Sequence, residues 1–295
     1  MMDVSVAYQI ESRLGEGPVW DYRSNELLWV DIEKHELNFY HPETKKYRLF
    51  RFDSRLGAAV PTDDNRLLLA LQNGLAIFDP LSQKLNYFAD PEKSLPDNRF
   101  NDGKCDPQGR FWIGSMDVNV RNRQGALYCV DNHINVTRKL EGLTISNGMA
   151  WSSDNQKMYF IDSATSKVFQ FDFHAETGVI TNQKTIIEVP QKHGVPDGMT
   201  IDKEGMLWIA HWGGANVSRW NPNNGKLLQK VDIPAPHVTS CCFGGKELDT
   251  LFITSARDGL TSDELRQYPL SGSLFSIQPN VLGMKSNRFK TNTAI

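Results

Sequence analysis

A six-bladed β-propeller, an all-β fold, is what this sequence predicts, and three observations carry the prediction. A unit made of a short apolar strand, a turn, a second strand rich in Trp, Leu, Ile and Phe, and one or two further strands recurs six times. Its openings near Gly17, Gly57, Gly103, Gly148, Gly198 and Val238 fall 40 to 50 residues apart, the period of propeller blades. The second strand of each unit is short, apolar and β-prone: Leu28-Trp29-Val30-Asp31, Leu67-Leu68-Leu69-Ala70, Phe111-Trp112-Ile113-Gly114, Met158-Tyr159-Phe160-Ile161-Asp162, Leu207-Trp208-Ile209-Ala210 and Leu251-Phe252-Ile253-Thr254. Finally, no amphipathic helical stretch of comparable strength interrupts these strands. The chain, 1–295, therefore reads as a single propeller domain with a polar tail from about residue 285.

The elements follow in order. Val4-Ser5-Val6-Ala7-Tyr8-Gln9-Ile10 alternates apolar and polar residues, the period of a half-buried strand. It is expected to join the last blade and close the ring, so that only short, protected edges remain. Blade one opens on Glu16-Gly17-Pro18-Val19-Trp20-Asp21, blade three on Asn101-Asp102-Gly103-Lys104, blade four on Asn147-Gly148-Met149-Ala150-Trp151, and blade five on Asp197-Gly198-Met199-Thr200-Ile201-Asp202. Between first and second strands stand Asp106-Pro107-Gln108-Gly109, Ser152-Ser153-Asp154-Asn155 and Asp202-Lys203-Glu204-Gly205. Asn, Asp and Gly there supply the backbone conformations that tight turns need. Trp20, Trp112, Trp151 and Trp208 recur within strands and read as inter-blade core. The polar tail after Met284 is expected to be disordered.

Composition narrows the function classes. Of 295 residues, 40% are hydrophobic and 23% charged, ordinary for a globular chain. Lys plus Arg is 32 against 35 Asp plus Glu, a formal charge of −3, without the basic excess of a nucleic-acid binder. No apolar run approaches the length that crosses a bilayer. The opening Met1-Met2-Asp3-Val4-Ser5 lacks the basic and apolar regions of a secretory signal, so a cytoplasmic protein is expected, with neither nucleic acid nor membrane as partner. Cys105, Cys129, Cys241 and Cys242 form no C-x-x-C pair and read as reduced thiols. Adjacent strand residues face opposite ways, so Cys241 and Cys242 are expected to pack into the core rather than bond to each other. H-E-x-x-H, G-x-S-x-G, G-K-[ST] and EF-hand patterns are all absent, which removes the zincin, serine-hydrolase, nucleotide-hydrolase and EF-hand readings.

In a propeller, the innermost strands all begin at one mouth of the central channel, so side chains at their openings converge. Glu16, Asn147 and Asp197, with Asn101 or Asp102, would bring carboxylate and amide oxygens from different blades toward one axis. Such a donor set suits a hard divalent cation. Asn-Gly and Asp-Gly are also common hairpin-turn pairs. The recurrence of the dipeptide at one point of several repeats, and Pro18 at the equivalent place in blade one, favour ligation over a turn.

Taken together, Glu16-Gly17-Pro18-Val19-Trp20, Arg99-Phe100-Asn101-Asp102-Gly103-Lys104, Ser146-Asn147-Gly148, Pro196-Asp197-Gly198-Met199 and Ser255-Ala256-Arg257 resemble the senescence-marker-protein-30/gluconolactonase family, also called regucalcin-like. The resemblance runs from about Glu11 to Ile277. It implies one axial divalent metal held by Glu16, Asn147 and Asp197, with Ca, Mg, Mn, Zn or Fe all conceivable. It also implies hydrolysis of sugar lactones, with Arg99 and Asn101 binding substrate oxygens. Where animal relatives carry a substrate-contacting Glu after the Met of blade three, this chain has Asn119, an amide that can bond a hydroxyl. Asp197 is expected to act as general base beside a cation that polarises the lactone carbonyl. Two alternatives accompany this reading: hydrolysis of other esters such as organophosphates, and a non-catalytic calcium-binding regulatory propeller. His211, at the end of a return strand, is expected on the side of the same mouth, with a packed or solvent-facing role favoured over substrate contact or a second base; for Trp212 both core packing and a stacking platform stay open. The loop from Asp117 to Gly125 is the expected lid.

Overall fold

The computed structural model describes residues 3–292; Met1-Met2, part of the signal argument, lies outside them. Six four-stranded antiparallel sheets follow one another along the chain, spanning 15–51, 56–89, 98–143, 146–188 and 195–232, with the sixth beginning at 237. The sixth sheet takes its outermost strand from the N-terminus: Ser5–Tyr8 pairs antiparallel with Leu274–Ile277. Closing the ring in this way links the two ends of the chain through a ladder, as the alternation at Val4–Ile10 predicts. No helix among the described residues is long and apolar enough to cross a membrane.

The core lies between blades. Trp112 packs with Trp151 at the interface of blades three and four, ring centroids 6.0 Å apart and edge to face. Trp208 sits with Cys241 and Phe243 between blades five and six, and Trp20 with Cys242 and Phe252 where the sixth blade meets the first. Each aromatic ring withdraws roughly 150–250 Å² from water, worth on the order of 4–6 kcal/mol before ordering costs. The two neighbouring cysteines therefore serve opposite faces of one strand, and all four thiols are free and buried. The turns support the same rings. Asp106 and Asp202 are fully buried and accept the indole N–H of Trp112 and Trp208, each at 2.9 Å. Arg110 and Arg219 close the same carboxylates at 2.6 and 2.7 Å, so each turn carboxylate is buried as a hydrogen-bonded ion pair rather than alone.

Within the C-terminal tail, residues 284–292 depart from expectation, while 293–295 lie outside the described residues. Instead of a disordered tail, residues 284–292 run along the channel mouth opposite the inner-strand openings. Phe289 is buried against blades two and three, donating its N–H to Pro61 O and accepting from Asp63 N, both at 2.9 Å. One aromatic anchor offsets the polarity of the run around it, a signal that average composition conceals.

Candidate active site

Four inner strands share a local irregularity where they meet the axis. Their pairing register slips between Glu16 and Val19, Phe100 and Gly103, Ser146 and Met149, and Pro196 and Met199. A bulge leaves residues out of the ladder, bends the strand and re-aims its side chains. The residues left out include Asn101, Asn147 and Asp197, while Glu16 is the last paired residue before its slip. Asn147-Gly148 and Asp197-Gly198 are thus strand bulges and not hairpin turns. Gly17 adopts a left-handed φ of +53°, accessible to glycine at little cost, and its N–H donates to Glu16 Oε2 at 2.9 Å.

The bulges deliver Glu16, Asn147 and Asp197 to the floor of a cavity of about 350 Å³. All three are buried. Asn147 Nδ2 donates to Ser163 Oγ at 3.1 Å and to Asp197 Oδ1, while Asn147 Oδ1 is buried without a partner. Neither carboxylate is in an ion pair with any described cation. Burial pushes Glu16 well above the usual carboxylate range, and Asp197 and Asp102 push further; Asp197 is raised chiefly by burial, with Asp102 adding. The nearby Arg99 guanidinium lowers both carboxyl groups, yet both stay raised, so these buried like charges, with an orphaned amide oxygen beside them, are incompletely compensated. The donor set fits a hard divalent cation: every donor is oxygen, and a cation would satisfy Asn147 Oδ1 and offset the repulsion. No group of three or more His, Cys, Asp or Glu side chains suited to a metal occurs among the described residues. The third donor of this set is an amide.

Arg99 and Asn101 line the same cavity. Arg99 Nη1 donates to Asn101 Oδ1 at 2.6 Å and to Phe100 O at 3.0 Å. Asn101 Nδ2 in turn donates to Ser146 O at 2.9 Å. The amide thus spends its donor on the neighbouring blade and holds the guanidinium in place. The remaining nitrogens of the fork have no protein partner among the described residues.

The structure does not bring Asn119 to the cavity with the other candidates. This residue is exposed and absent from the cavity wall, its backbone N–H taken by Asp117 Oδ1 at 2.8 Å. Its neighbours Val118 and Val120 line the cavity instead. His211 is fully buried, bonded to Ser218 Oγ at 2.5 Å, and does not reach the cavity. Trp212 does, stacked on His237 with centroids 3.9 Å apart. Sequence reasoning did not single out Ser163, which orients the Asn147 amide; its one signal is its place at the end of a return strand, after Asp162. Glu33 and Asp258, also in the wall, lie outside every motif quoted above.

His211 makes a testable contribution to stability. Burial, with His193 and Lys230 nearby, pushes its pKa down to about 3, while an unfolded histidine titrates near 6.5. The folded protein then binds fewer protons than the unfolded chain between those values. This contribution is fully present above pH ~6.5 and is lost as pH falls toward 3, at up to ~1.4 kcal/mol per pH unit. His211→Gln is expected to flatten the acid limb of a urea-unfolding stability profile; an unchanged slope would show that His211 is charged in the folded protein.

With this geometry in hand, comparison with known proteins is informative. Residues 14–257 match the family described as "SMP-30/Gluconolactonase/LRE-like region". A Bacillus subtilis (strain 168) protein named "Putative sugar lactone lactonase YvrE" is 34% identical over 277 residues, covering 94% of this chain and 95% of that one. Regucalcin of Xenopus laevis is 36% identical over 270 residues, 90% of each chain. The crystal structure of a calcium-binding protein, regucalcin, from Agrobacterium tumefaciens superposes with a TM-score of 0.94 at 28% identity, covering 98% of this chain and 97% of that one.

Proposed function

The chain belongs to the SMP-30/gluconolactonase/LRE-like family, and from that premise and the cavity chemistry we propose that it hydrolyses a sugar lactone to the aldonic acid with one divalent cation. The observation that carries the proposal is the convergence of Glu16, Asp197 and the unpartnered Asn147 Oδ1 on the cavity that Arg99 also lines. Glu16, Asn147 and Asp197 would hold the cation. When bound, it supplies Lewis acidity to the lactone carbonyl.

The protein groups divide the remaining work. Asp197 has Oδ1 engaged by the Asn147 amide, which leaves Oδ2 to take a proton from the attacking water. As the tetrahedral carbon collapses and the ring C–O bond breaks, the same carboxyl returns that proton to the leaving alkoxide. Arg99 aims its free nitrogens at substrate oxygens, and Asn101 fixes the direction of the fork. Ser163 keeps the Asn147 amide turned so that its oxygen faces the cavity. Asn119 has no place in this scheme. The four free, buried thiols are in keeping with a reducing cytoplasm as the site of action.

The test is proton release from five- and six-membered aldonolactones by chelated protein, with each divalent metal added back and spontaneous hydrolysis subtracted. Metal-restored turnover is expected. Stoichiometric metal binding without turnover of any lactone would overturn the reading in favour of another ester or a non-catalytic role. Arg99→Lys keeps the charge but loses the planar fork, so kcat/KM is expected to drop about tenfold, mainly through KM. Asn119→Ala is expected to change kcat/KM less than twofold; a larger loss would return that side chain to the substrate.

A further inference from the structure

The mouth of the cavity differs in chemistry from its floor. Its wall carries Met116, Val118, Val120, Ile145, Val195 and Trp212. Val120, in a turn of blade three, and Val195, the first residue of the inner strand of blade five, are 48% and 38% exposed, although exposed valine gains nothing in water. Val120 adopts a φ of +56°, a left-handed conformation that a β-branched residue enters only with strain. The turn is held against that strain by Asp117, which is fully buried. Its carboxylate accepts Asn119 N at 2.8 Å and Arg121 Nε at 2.7 Å, and its carbonyl accepts Val120 N at 2.9 Å. A strained, over-determined turn that presents an apolar side chain to a binding cavity is a functional signal. The position where a hydroxyl-bonding side chain was expected thus offers two valines and turns its amide to solvent.

Charge at the rim points the same way. The wall acids Glu33 and Asp258 are already engaged by Arg55 at 2.8 Å and Arg13 at 2.9 Å. Arg99 is the one cation in the wall among the described residues. A phosphate or carboxylate on the outer part of a substrate would meet valines there, and acids already paired to Arg55 and Arg13.

Resting on the lactonase reading, we propose that this site selects neutral sugar lactones whose ring carries an alkyl substituent, and that Val118 and Val120 read that substituent. Each methylene placed in such a wall is worth about tenfold in kcat/KM. The experiment compares the metal-loaded protein on three sugar lactones of one ring size that differ in one outer substituent: hydroxylated, alkyl and phosphorylated. Calorimetry of a non-hydrolysable cyclic amide, with and without the same alkyl group, runs alongside. The alkyl lactone is expected to lead the phosphorylated one by at least about tenfold. Val120→Asn and Val118→Ser are each expected to lower the alkyl-to-hydroxylated ratio of kcat/KM by about tenfold, and Val120→Asn to weaken the alkyl amide by a similar factor. Preference for the hydroxylated or phosphorylated lactone, or a ratio untouched by both variants, overturns the proposal. If no lactone is cleaved yet the alkyl amide binds more tightly through Val120, the lactonase reading fails while the apolar selection stands. If the alkyl group adds nothing to binding, the selection fails whatever the turnover.

Discussion

Asp197→Asn is expected to lower kcat at saturating metal by about 10²–10⁴-fold, the range that a positioned general base contributes, while leaving the propeller folded. The substitution is nearly isosteric, and Asp197 is a buried carboxylate that raises the pKa of the buried Glu16, while its own is raised by burial and by Asp102. Removing one charge relieves repulsion in the metal-free protein, so its thermal stability is expected to hold or rise. The metal response should move the other way. A cation bound only by the folded state stabilises it by ~2.7 kcal/mol at a hundredfold excess over Kd, and the variant should lose most of that increment. Collapse of turnover with retained metal stabilisation would make Asp197 a base but not a ligand. Turnover above about a tenth of the original would remove it from both roles. A substantial drop in the metal-free melting temperature would assign it a structural role that its surroundings do not suggest.

How much of this site could be read from sequence depends on the kind of information each residue carries. Repetition made the six blades legible, because the apolar second strands and their turns recur with one period. It also grouped the inner-strand openings at Glu16, Asn101-Asp102, Asn147 and Asp197 as one converging set, from which the likeness to the family singles out Glu16, Asn147 and Asp197. What repetition does not encode is direction within an irregular segment. Asn119 lies outside the repeating strands, in a turn whose conformation is set by the buried Asp117 carboxylate. Likeness to animal relatives puts Asn119 at a substrate-contacting position, whereas the turn leaves it exposed between the cavity-lining Val118 and Val120. The bulges were equally silent: Asn-Gly and Asp-Gly read as turns or ligands, yet the structure uses them for register slips inside strands. Phe289 shows the reverse failure, a single anchor outweighed by its polar neighbours in any compositional reading.

The glycine after Asn147 shows why those slips are tight, and it carries the second large effect. A Cβ built on Gly148 would stand 2.6 Å from Met199 Cβ, 2.7 Å from Asp197 O and 2.8 Å from Met199 N. Two of those three atoms are backbone of blade five, so no side-chain rotation relieves the clash; blades four and five must separate. Overpacking of this kind costs about 1–3 kcal/mol, which for a domain this large lowers Tm by roughly 2–4 °C per kcal/mol. The displaced segment is the one that carries Asp197, and Asn147 Nδ2 bonds that carboxylate across the interface. Misplacing a catalytic group by about 1 Å costs on the order of 10²-fold. Gly148→Ala is therefore expected to lower Tm by several degrees and kcat by about 10–100-fold together, with metal affinity weakened in parallel. Differential scanning calorimetry and the lactone assay on one preparation decide it. A lowered Tm with full turnover would mean that the blades separate without moving Asp197, so that the metal and base positions are set within blade five alone. An unchanged Tm and an unchanged kcat would mean that the interface has slack, and the close approach of inner strands would no longer explain why glycine follows the ligand.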